Sequence, residues 1–591
     1  MKSATNDGIL ADTKSLKAKI LDFILLNFNK QYVMKSTISA ILVLLLSLGA
    51  FSQSSSDTAK AFSILKNRGE VILKFPKTPE LPLNKITLMV SISKIEKDSI
   101  EAYLNYNQFQ KFLELNIPFR IIEKKSPKSF LKSAGSVLNF SAYPTFAEYV
   151  SMMDSFSKAF PSLCKVIEVG QSVKKRQILF ARINTDTTQA KPSVMYSSTM
   201  HGDETGGYIL MLHFINYLLN NYKKNLLVTK LVDSLDIWIN PLANPDGTYF
   251  DSIDVWSATR FNANGVDLNR NFPDPVEGSH PDENPYQPET QAMMNLMAQH
   301  HFVLSANYHA GDEVVNYPWD SEPTYHVDST WFIYISTEFA DSAQKFGRTG
   351  YFTSVSPNGI IDGYYWYPVY GGRQDYMTYF RQGREVTIEL DAITKTTPED
   401  SLNNLWNYNY RSFLHYFEQA LYGFHGYVFD SLTQKPVKAK IELVGHDDNS
   451  SFIYSDSLNG SFYRPVYTGE YNILVSAVGY ESIELPNVLI QNNETKYFNF
   501  YLKAGKNSIT EDIGSGFGIS PDPCNNNFQI TGLNESEKAS LTIIAATGEN
   551  VYSTFVSNNE VVNIRNLEAG IYFVQVKTQT EIFVKKIEII H

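Results

Sequence analysis

The chain has 591 residues, too many for a single hydrophobic core, and its length predicts three or four domains. With 43% hydrophobic, 19% charged and 13% aromatic residues it has the composition of an ordinary globular protein. A formal net charge of −11 without any dense basic run argues against nucleic acid as the main partner. Its two cysteines, Cys164 and Cys524, lie far apart and support neither a disulfide framework nor a cysteine-ligated metal.

Residues 34–52 read as a signal peptide. Met34 and Lys35 precede the apolar run at 41–46, the small residues Gly49, Ala50 and Ser52 follow it, and cleavage is expected near Ser52-Gln53. The run is too short to span a bilayer comfortably, which makes a membrane anchor the lesser reading. Translation is accordingly expected to start at Met34, with 1–33 an upstream misannotation. No later stretch of the sequence is long and apolar enough to cross a membrane.

Residues 53–135 form a small α/β segment. The stretch 85–90 alternates like a strand with Ile86, Leu88 and Val90 on one face, 106–115 reads as a helix, and 119–122 as another strand. A polar linker is expected at 124–132. From 140 to 423, strand and helix signals alternate, the signature of an α/β domain with a mixed sheet sandwiched by helices. Ser193-Val194-Met195-Tyr196-Ser197 is a strand ending just before His201, 208–219 is an apolar helix, and 303–308 is a strand ending on His309. Val386 and Ile388 alternate with Thr387 and Glu389, so Glu389 faces away from the apolar pair. Ligands of open α/β sheets collect at the carboxyl ends of strands, where these residues fall. Beyond 423 short strands such as 425–430, 439–443 and 471–475 predict a small β-sandwich to 504. The joint Gly514-Ser515-Gly516 then leads into a second small all-β domain at 515–591.

The chemistry concentrates at His201-Gly202-Asp203-Glu204. A histidine and a glutamate three residues apart, completed by a distant histidine, can hold one zinc ion and leave a position for water. Alone the pair is a weak signal, since a solvated polar face yields the same spacing. Four further segments narrow it: Asn240-Pro241-Leu242-Ala243-Asn244-Pro245-Asp246-Gly247, Gly265-Val266-Asp267-Leu268-Asn269-Arg270-Asn271-Phe272-Pro273, Gln287-Pro288-Glu289-Thr290 and Thr387-Ile388-Glu389-Leu390. In this order they resemble the zinc metallocarboxypeptidases over about 143–422, and His201-Gly202-Asp203-Glu204-Thr205 is most similar to the regulatory branch typified by carboxypeptidases N, E, M and D.

That resemblance implies one zinc on His201, Glu204 and His309, Glu389 as general base, and Arg260 as oxyanion stabiliser. It implies that Asn269 and Arg270 grip the C-terminal carboxylate of a peptide substrate while Tyr367 closes over it. Asp320 and Gln374 match the polar side-chain pocket of that branch, which implies a preference for C-terminal Lys or Arg, because a partly buried carboxylate needs a cation. The block 424–504 resembles the transthyretin-like sandwich of regulatory carboxypeptidases. The block 515–591 resembles the sorting domain of the Bacteroidetes type IX secretion system, through Ser520-Pro521-Asp522-Pro523, Leu567-Glu568-Ala569-Gly570-Ile571-Tyr572-Phe573-Val574 and Lys585-Lys586-Ile587, although Asp522 departs from the usual Asn. It implies the secretion machinery as a partner, export across both membranes, and a secreted or surface location. In that setting 53–135 is pro-region-like: an inhibitory prosegment, a folding chaperone or a spacer. The alternatives are a zinc amidase acting on cell-wall peptides or acyl-amino acids, and an inactive surface binding module.

Of the other histidines, His213 reads as a packed helix residue and His300 and His301 as surface residues, while Trp366 and Tyr370 either line the cleft or pack beneath it. Replacement Asp320→Ala is expected to reduce cleavage of Arg-tailed peptides far more than of Leu-tailed ones. Equal losses in kcat/KM on the two peptides would show that Asp320 does not read the terminal side chain.

Overall fold

The computed structural model describes residues 55–79, 81–123, 138–250, 253–505, 518–521, 523–533, 538–545, 549–578 and 582–590. The expected signal peptide, the stretch 1–33, the linker at 124–132, the Gly514-Ser515-Gly516 joint and Asp522 lie outside them. Among the described residues no helix is long and apolar enough to cross a membrane.

The first unit is an antiparallel sheet of β1 (Val71–Pro76), β2 (Ser91–Ile95), β3 (Ser99–Leu104) and β4 (Arg120–Ile121) in spatial order β2-β3-β1-β4. Helices Ser55–Arg68 and Tyr106–Glu114 pack on it around Phe75, Ile92, Phe109 and Phe112. The second helix starts where the sequence places it because Asn105 and Gln108 satisfy each other's backbone N–H groups in a capping box. The strand expected at 85–90 is absent: Leu83–Ile86 is a helical turn after Pro82, and β2 begins only at Ser91. Ile86 and Val90 are buried while Leu88 is 39% exposed, so the inward positions recur every four residues, not every two.

The central unit is built on an eight-stranded mixed sheet. Its strands are β5 (Cys164–Gln171), β6 (Gln177–Ile183), β7 (Ser193–Ser198), β8 (Asp236–Asn240), β9 (Phe302–His309), β10 (Glu313–Tyr317), β11 (Ile360–Asp362) and β12 (Arg384–Leu390), in the order β11-β10-β12-β9-β7-β8-β6-β5. The middle strands β8, β7, β9 and β12 run parallel, so their carboxyl ends share one edge. Period-two alternation sorts β7 between two cores. Val194 and Tyr196 join the layer under helices Gly206–Asn221, Ser329–Phe346 and Leu402–Glu418, whereas Met195 joins Trp238, Phe302 and helix Pro288–Gln299 on the other face. His213 stacks between Phe140 and Trp406, and burial pushes its pKa down to about 4, as a packed neutral residue requires. His300 and His301 are not surface residues. Both are half-buried, His300 lies 4.6 Å from the Trp238 ring, and burial pushes His301 down to about 4.

Two all-β units follow. Strands Gly423–Asp430, Ser461–Arg464 and Thr495–Leu502 face a second sheet of Lys440–Leu443, Ile453–Tyr454, Gly469–Ser476 and Ile483–Ile490 across one apolar core. The last unit repeats this plan with a three- and a four-stranded sheet around Phe528, Leu541 and Val574. Cys164 and Cys524 are both buried and lie in different units.

The first β-sandwich is fastened to the central sheet by a buried charge cluster. Asp328, at the start of helix Ser329–Phe346, accepts from Arg384 Nε–H on β12 at 2.9 Å, from Arg464 at 2.9 and 3.1 Å, and from His446 at 2.8 Å. Burial alone would raise the Asp328 pKa, but the two guanidinium groups hold it well below the ordinary aspartate range. Its contribution to stability is therefore present above the unfolded-state aspartate pKa and fades only as pH falls through a lower value. Asp328→Ala leaves buried Arg384 without its carboxylate and Arg464 with Asp447 alone, and is expected to cost ~3–5 kcal/mol, read as a fall in the urea midpoint at pH 7. A change under ~1 kcal/mol would show that the cluster does not hold the units together.

Candidate metal centre and cleft

The shared edge of β7, β9 and β12 brings the predicted residues together. His201 and Glu204 lie on the loop between β7 and helix Gly206–Asn221, His309 is the last residue of β9, and Glu389 lies beside it on β12, paired with His309 in the sheet register. His201 Nδ1 is 3.0 Å from Glu204 Oε2, His309 Nδ1 is 2.8 Å from the same oxygen, and the two Nδ1 atoms are 3.0 Å apart. All three side chains are buried. Burial pushes the His309 pKa down to about 4, which keeps its ring neutral and a lone pair available. His201 donates Nε2–H to Asp267 Oδ1 at 3.0 Å, leaving Nδ1 free to point at the centre. Three electron-rich atoms packed this closely repel one another unless a cation sits among them, and a two-nitrogen, one-oxygen set suits zinc. These residues could hold one zinc ion, and the donor set fits it.

Around this centre runs a cleft whose wall includes Arg260, Asn269, Arg270, Asp320, Trp366, Tyr367 and Glu389. Trp366 thus faces the cleft, while Tyr370 is buried and takes no part in its wall. Arg260 donates Nη1–H to Glu204 Oε1 at 3.2 Å and Nε–H to Asp267 Oδ2 at 3.0 Å. Glu389 is half-buried, its Oε2 shielded and without a hydrogen-bond partner. Burial, then the Glu204 and Asp312 carboxylates, push its pKa well above the ordinary glutamate range.

Arg270 is 6% exposed, and only its Nη1 is engaged, donating to the Asn269 carbonyl at 2.9 Å. Its Nε and Nη2 are buried without a partner. A guanidinium presents Nε–H and Nη2–H as a parallel pair, the fork that fits a carboxylate. Gly371 packs against this arginine at φ +71°, where a Cβ would meet the Arg270 carbonyl at 2.3 Å, so only glycine fits the turn.

Asp320 is 2% exposed and accepts at Oδ1 from Asn316 at 2.8 Å and from Gln374 at 3.0 Å. Gln374 supports the pocket from behind and is not part of the cleft wall. Asp375 accepts from the Asp320 backbone N–H at 3.1 Å, and burial pushes its pKa up to about 7. Burial and Asp375 also push Asp320 well above the ordinary range, and no lysine or arginine among the described residues pairs with it.

The sequence reading passed over several neighbours. Asp267 lies inside a quoted motif, two residues before Asn269, so its position was available although its bond to His201 was not. Lys395 and Asp312 also line the cleft. The first unit, left open by the sequence as an inhibitory prosegment, a folding chaperone or a spacer, borders the cleft. Ser93 forms part of the cavity wall, Tyr103 donates to Asp203 Oδ2 at 2.8 Å, and Glu70 Oε2 accepts from the Arg260 backbone N–H at 2.8 Å. Arg68 donates to the carbonyls of Ser257 and Ala258, and Tyr367 packs against the core of that unit. The cavity left is about 30 Å³, room for on the order of two waters, against at least ~300 Å³ for a typical ligand site.

Residues 149–412 match the zinc carboxypeptidase family, and residues 518–590 match the secretion system C-terminal sorting domain. Mouse carboxypeptidase M is 32% identical over 350 residues, covering 56% of this chain and 77% of that protein. Human carboxypeptidase D is 32% identical over 393 residues, 64% of this chain but only 28% of that longer protein. The crystal structure of carboxypeptidase A from Helicoverpa armigera superposes with a TM-score of 0.47 at 18% identity, covering 58% of this chain and 96% of that one. The chain belongs to the zinc carboxypeptidase family and is a metallocarboxypeptidase, a hydrolase carrying a secretion sorting domain.

Zinc added to metal-stripped protein is expected to raise its melting temperature, and Glu204→Gln or His309→Ala to abolish most of that rise. An undiminished zinc-induced shift in both variants would place the metal elsewhere.

Proposed function

We propose that the protein is an exported zinc carboxypeptidase that removes Lys or Arg from peptide C-termini, and that it belongs to the regulatory branch of its family. The observation that carries this reading is the unpaired Nε/Nη2 edge of buried Arg270, in the same cleft as the His201, Glu204 and His309 cluster. A buried cation with an open fork wants a free carboxylate, which an internal peptide bond lacks. It favours terminal trimming over amidase action on a capped substrate. The Asp320 pocket, acidic and without a cationic partner, supports a basic last residue.

His201, Glu204 and His309 are assigned to the metal. When bound there, zinc supplies an electrophile that polarises the scissile carbonyl and acidifies water. The free Oε2 of Glu389 accepts the proton of the attacking water and returns it to the departing amine. Arg260, held in place by Asp267, donates to the carbonyl oxygen as charge develops there, an interaction worth roughly 3–4 kcal/mol. Asn269 and Arg270 fix the terminal carboxylate, and Tyr367 closes over that end. Asp267 fixes the tautomer of His201.

The unit at 55–123 serves as an inhibitory prosegment, because the residual cavity beneath Ser93 and Tyr103 is far too small for a peptide. The sandwich that follows the catalytic unit is transthyretin-like and supports it through Asp328. The last unit directs export by the type IX system of a Bacteroidetes-type bacterium, leaving the enzyme secreted or attached to the surface.

The test uses zinc-loaded full-length protein before and after limited trypsin digestion, aimed at the lysines of 124–132. It is incubated with peptides ending in Arg, in Leu and in Arg-amide, with and without chelator, and products are read by mass. Digested protein should release Arg at least ~tenfold faster than Leu, a gap of about 1.4 kcal/mol, and should leave the amide intact. Chelator should stop it. Amide cleavage would favour the amidase, and full turnover without metal would end the zinc reading. Equal rates before and after digestion would remove the inhibitory role of the first unit.

A further inference from the structure

A buried ion pair beneath the cleft plays no part in the assignments above. Arg373 and Glu385 are both 0% exposed. Arg373 donates Nε–H to Glu385 Oε1 at 2.9 Å and Nη2–H to Oε2 at 3.2 Å, a two-pronged contact that fixes the guanidinium in position and in plane. Ser305 donates its hydroxyl to the same Oε2 at 2.6 Å. Glu385 on β12 is registered with Ser305 on β9, just as Glu389 is with His309 further along the same two strands. Positions four apart on a strand share a face. The ion pair therefore sits on the face that carries the proposed base and a metal ligand, about 13 Å back at ~3.3 Å per residue.

The pair reaches the cleft through the main chain. The backbone N–H of Arg373 donates to Asn269 Oδ1 at 3.0 Å. A backbone N–H only donates, so the oxygen of that amide must face it, and the Nδ2 hydrogens are turned the other way. Asn269 lines the cavity beside Arg270. Its own backbone is held by Asp267, which accepts its N–H at 2.9 Å, and by Arg270, which donates to its carbonyl at 2.9 Å. The rotation of the amide is the freedom that remains, and the reverse orientation would set an oxygen against a substrate carboxylate. We propose that Arg373 and Glu385 are positioning residues: their ion pair anchors the turn at 371–373 to β12, and the anchored N–H keeps the donor side of Asn269 towards the carboxylate of a peptide. This rests on the carboxypeptidase reading and adds to it two residues that touch no substrate. Stability alone gives such a pair little reason to exist, since two buried charges lose about as much hydration as their attraction returns, and apolar side chains of similar volume often serve as well. Apolar side chains lack the fixed fork that sets where the main chain at Arg373 lies.

The experiment uses trypsin-digested, zinc-loaded full-length protein and a peptide ending in Arg. Glu385→Gln should raise KM by ~tenfold or more while kcat stays within ~threefold, the pattern of lost substrate grip, and the zinc-induced melting shift should persist. Asn269→Ala should raise KM to a similar extent, and adding Glu385→Gln to it should change KM by no more than ~twofold, because the pair acts through that side chain. Arg373→Lys, which keeps the charge without the fork, should retain most of the defect. Should Glu385→Gln fail to fold, Arg373→Met combined with Glu385→Leu leaves no unpaired buried charge and is read in the same way. A Glu385→Gln variant with unchanged KM, a loss confined to kcat, or losses that multiply in the double variant overturn the positioning while leaving Arg trimming intact. Wild-type protein that does not trim the peptide overturns the trimming activity and this inference together.

Discussion

Two imidazole nitrogens and a carboxylate oxygen held within about 3 Å of one another are a strained arrangement without a cation, and much of the molecule serves to hold them there. Their lone pairs point at a common centre, all three residues are buried, and water cannot screen the repulsion between them. Parallel strands β7 and β9 end at the same edge, which fixes His309 against the loop of His201 and Glu204. Asp267 and Arg260 then complete a shell that orients one imidazole and balances the spare oxygen of Glu204. A site organised in this way loses little ordering entropy when a metal enters.

The same low-dielectric edge explains the unusual chemistry nearby. Glu389, Asp320, Asp375 and Asp312 are all pushed towards higher proton affinity by burial, and each by a neighbouring carboxylate as well. Arg270 provides the opposite imbalance, a cation whose better hydrogen-bonding edge is unused. Buried acidic groups and a guanidinium with an unused edge thus line one cleft. Such groups lower the stability of the isolated fold.

Charge also organises the larger architecture. Asp328 unites a helix of the central unit, the β12 strand that carries Glu389, and the first β-sandwich. Arg384 and Glu389 share one seven-residue strand, so the sandwich buttresses the strand on which the proposed base resides. The first unit acts on the cleft from the other side, through Glu70, Ser93 and Tyr103. The catalytic sheet is thus braced at one end and covered at the other by chain segments that contribute no metal ligand.

Local pattern carried much of this protein. The strands ending near His201 and His309, the apolar helix between them, the helix beginning at Tyr106 and the all-β character beyond residue 423 could be read from periodicity, because each depends on neighbours a few residues apart. The residue types at the site, together with the order of their motifs, named the candidates one by one. The misread stretch at 85–90 failed because Pro82 starts a helical turn whose buried positions, Ile86 and Val90, also satisfy an every-second-residue pattern. His300 was misjudged because polarity says nothing of a Trp238 ring more than sixty residues distant. Only tertiary structure decided which bonds those candidates make: the open edge of Arg270, the pairing of Asp267 with His201, and the unit lying across the cleft. Each of these depends on segments far apart in sequence meeting in space, and the free energy that brings them together, burial of apolar surface against the order of the sheet, leaves no trace in the spacing of neighbouring residues.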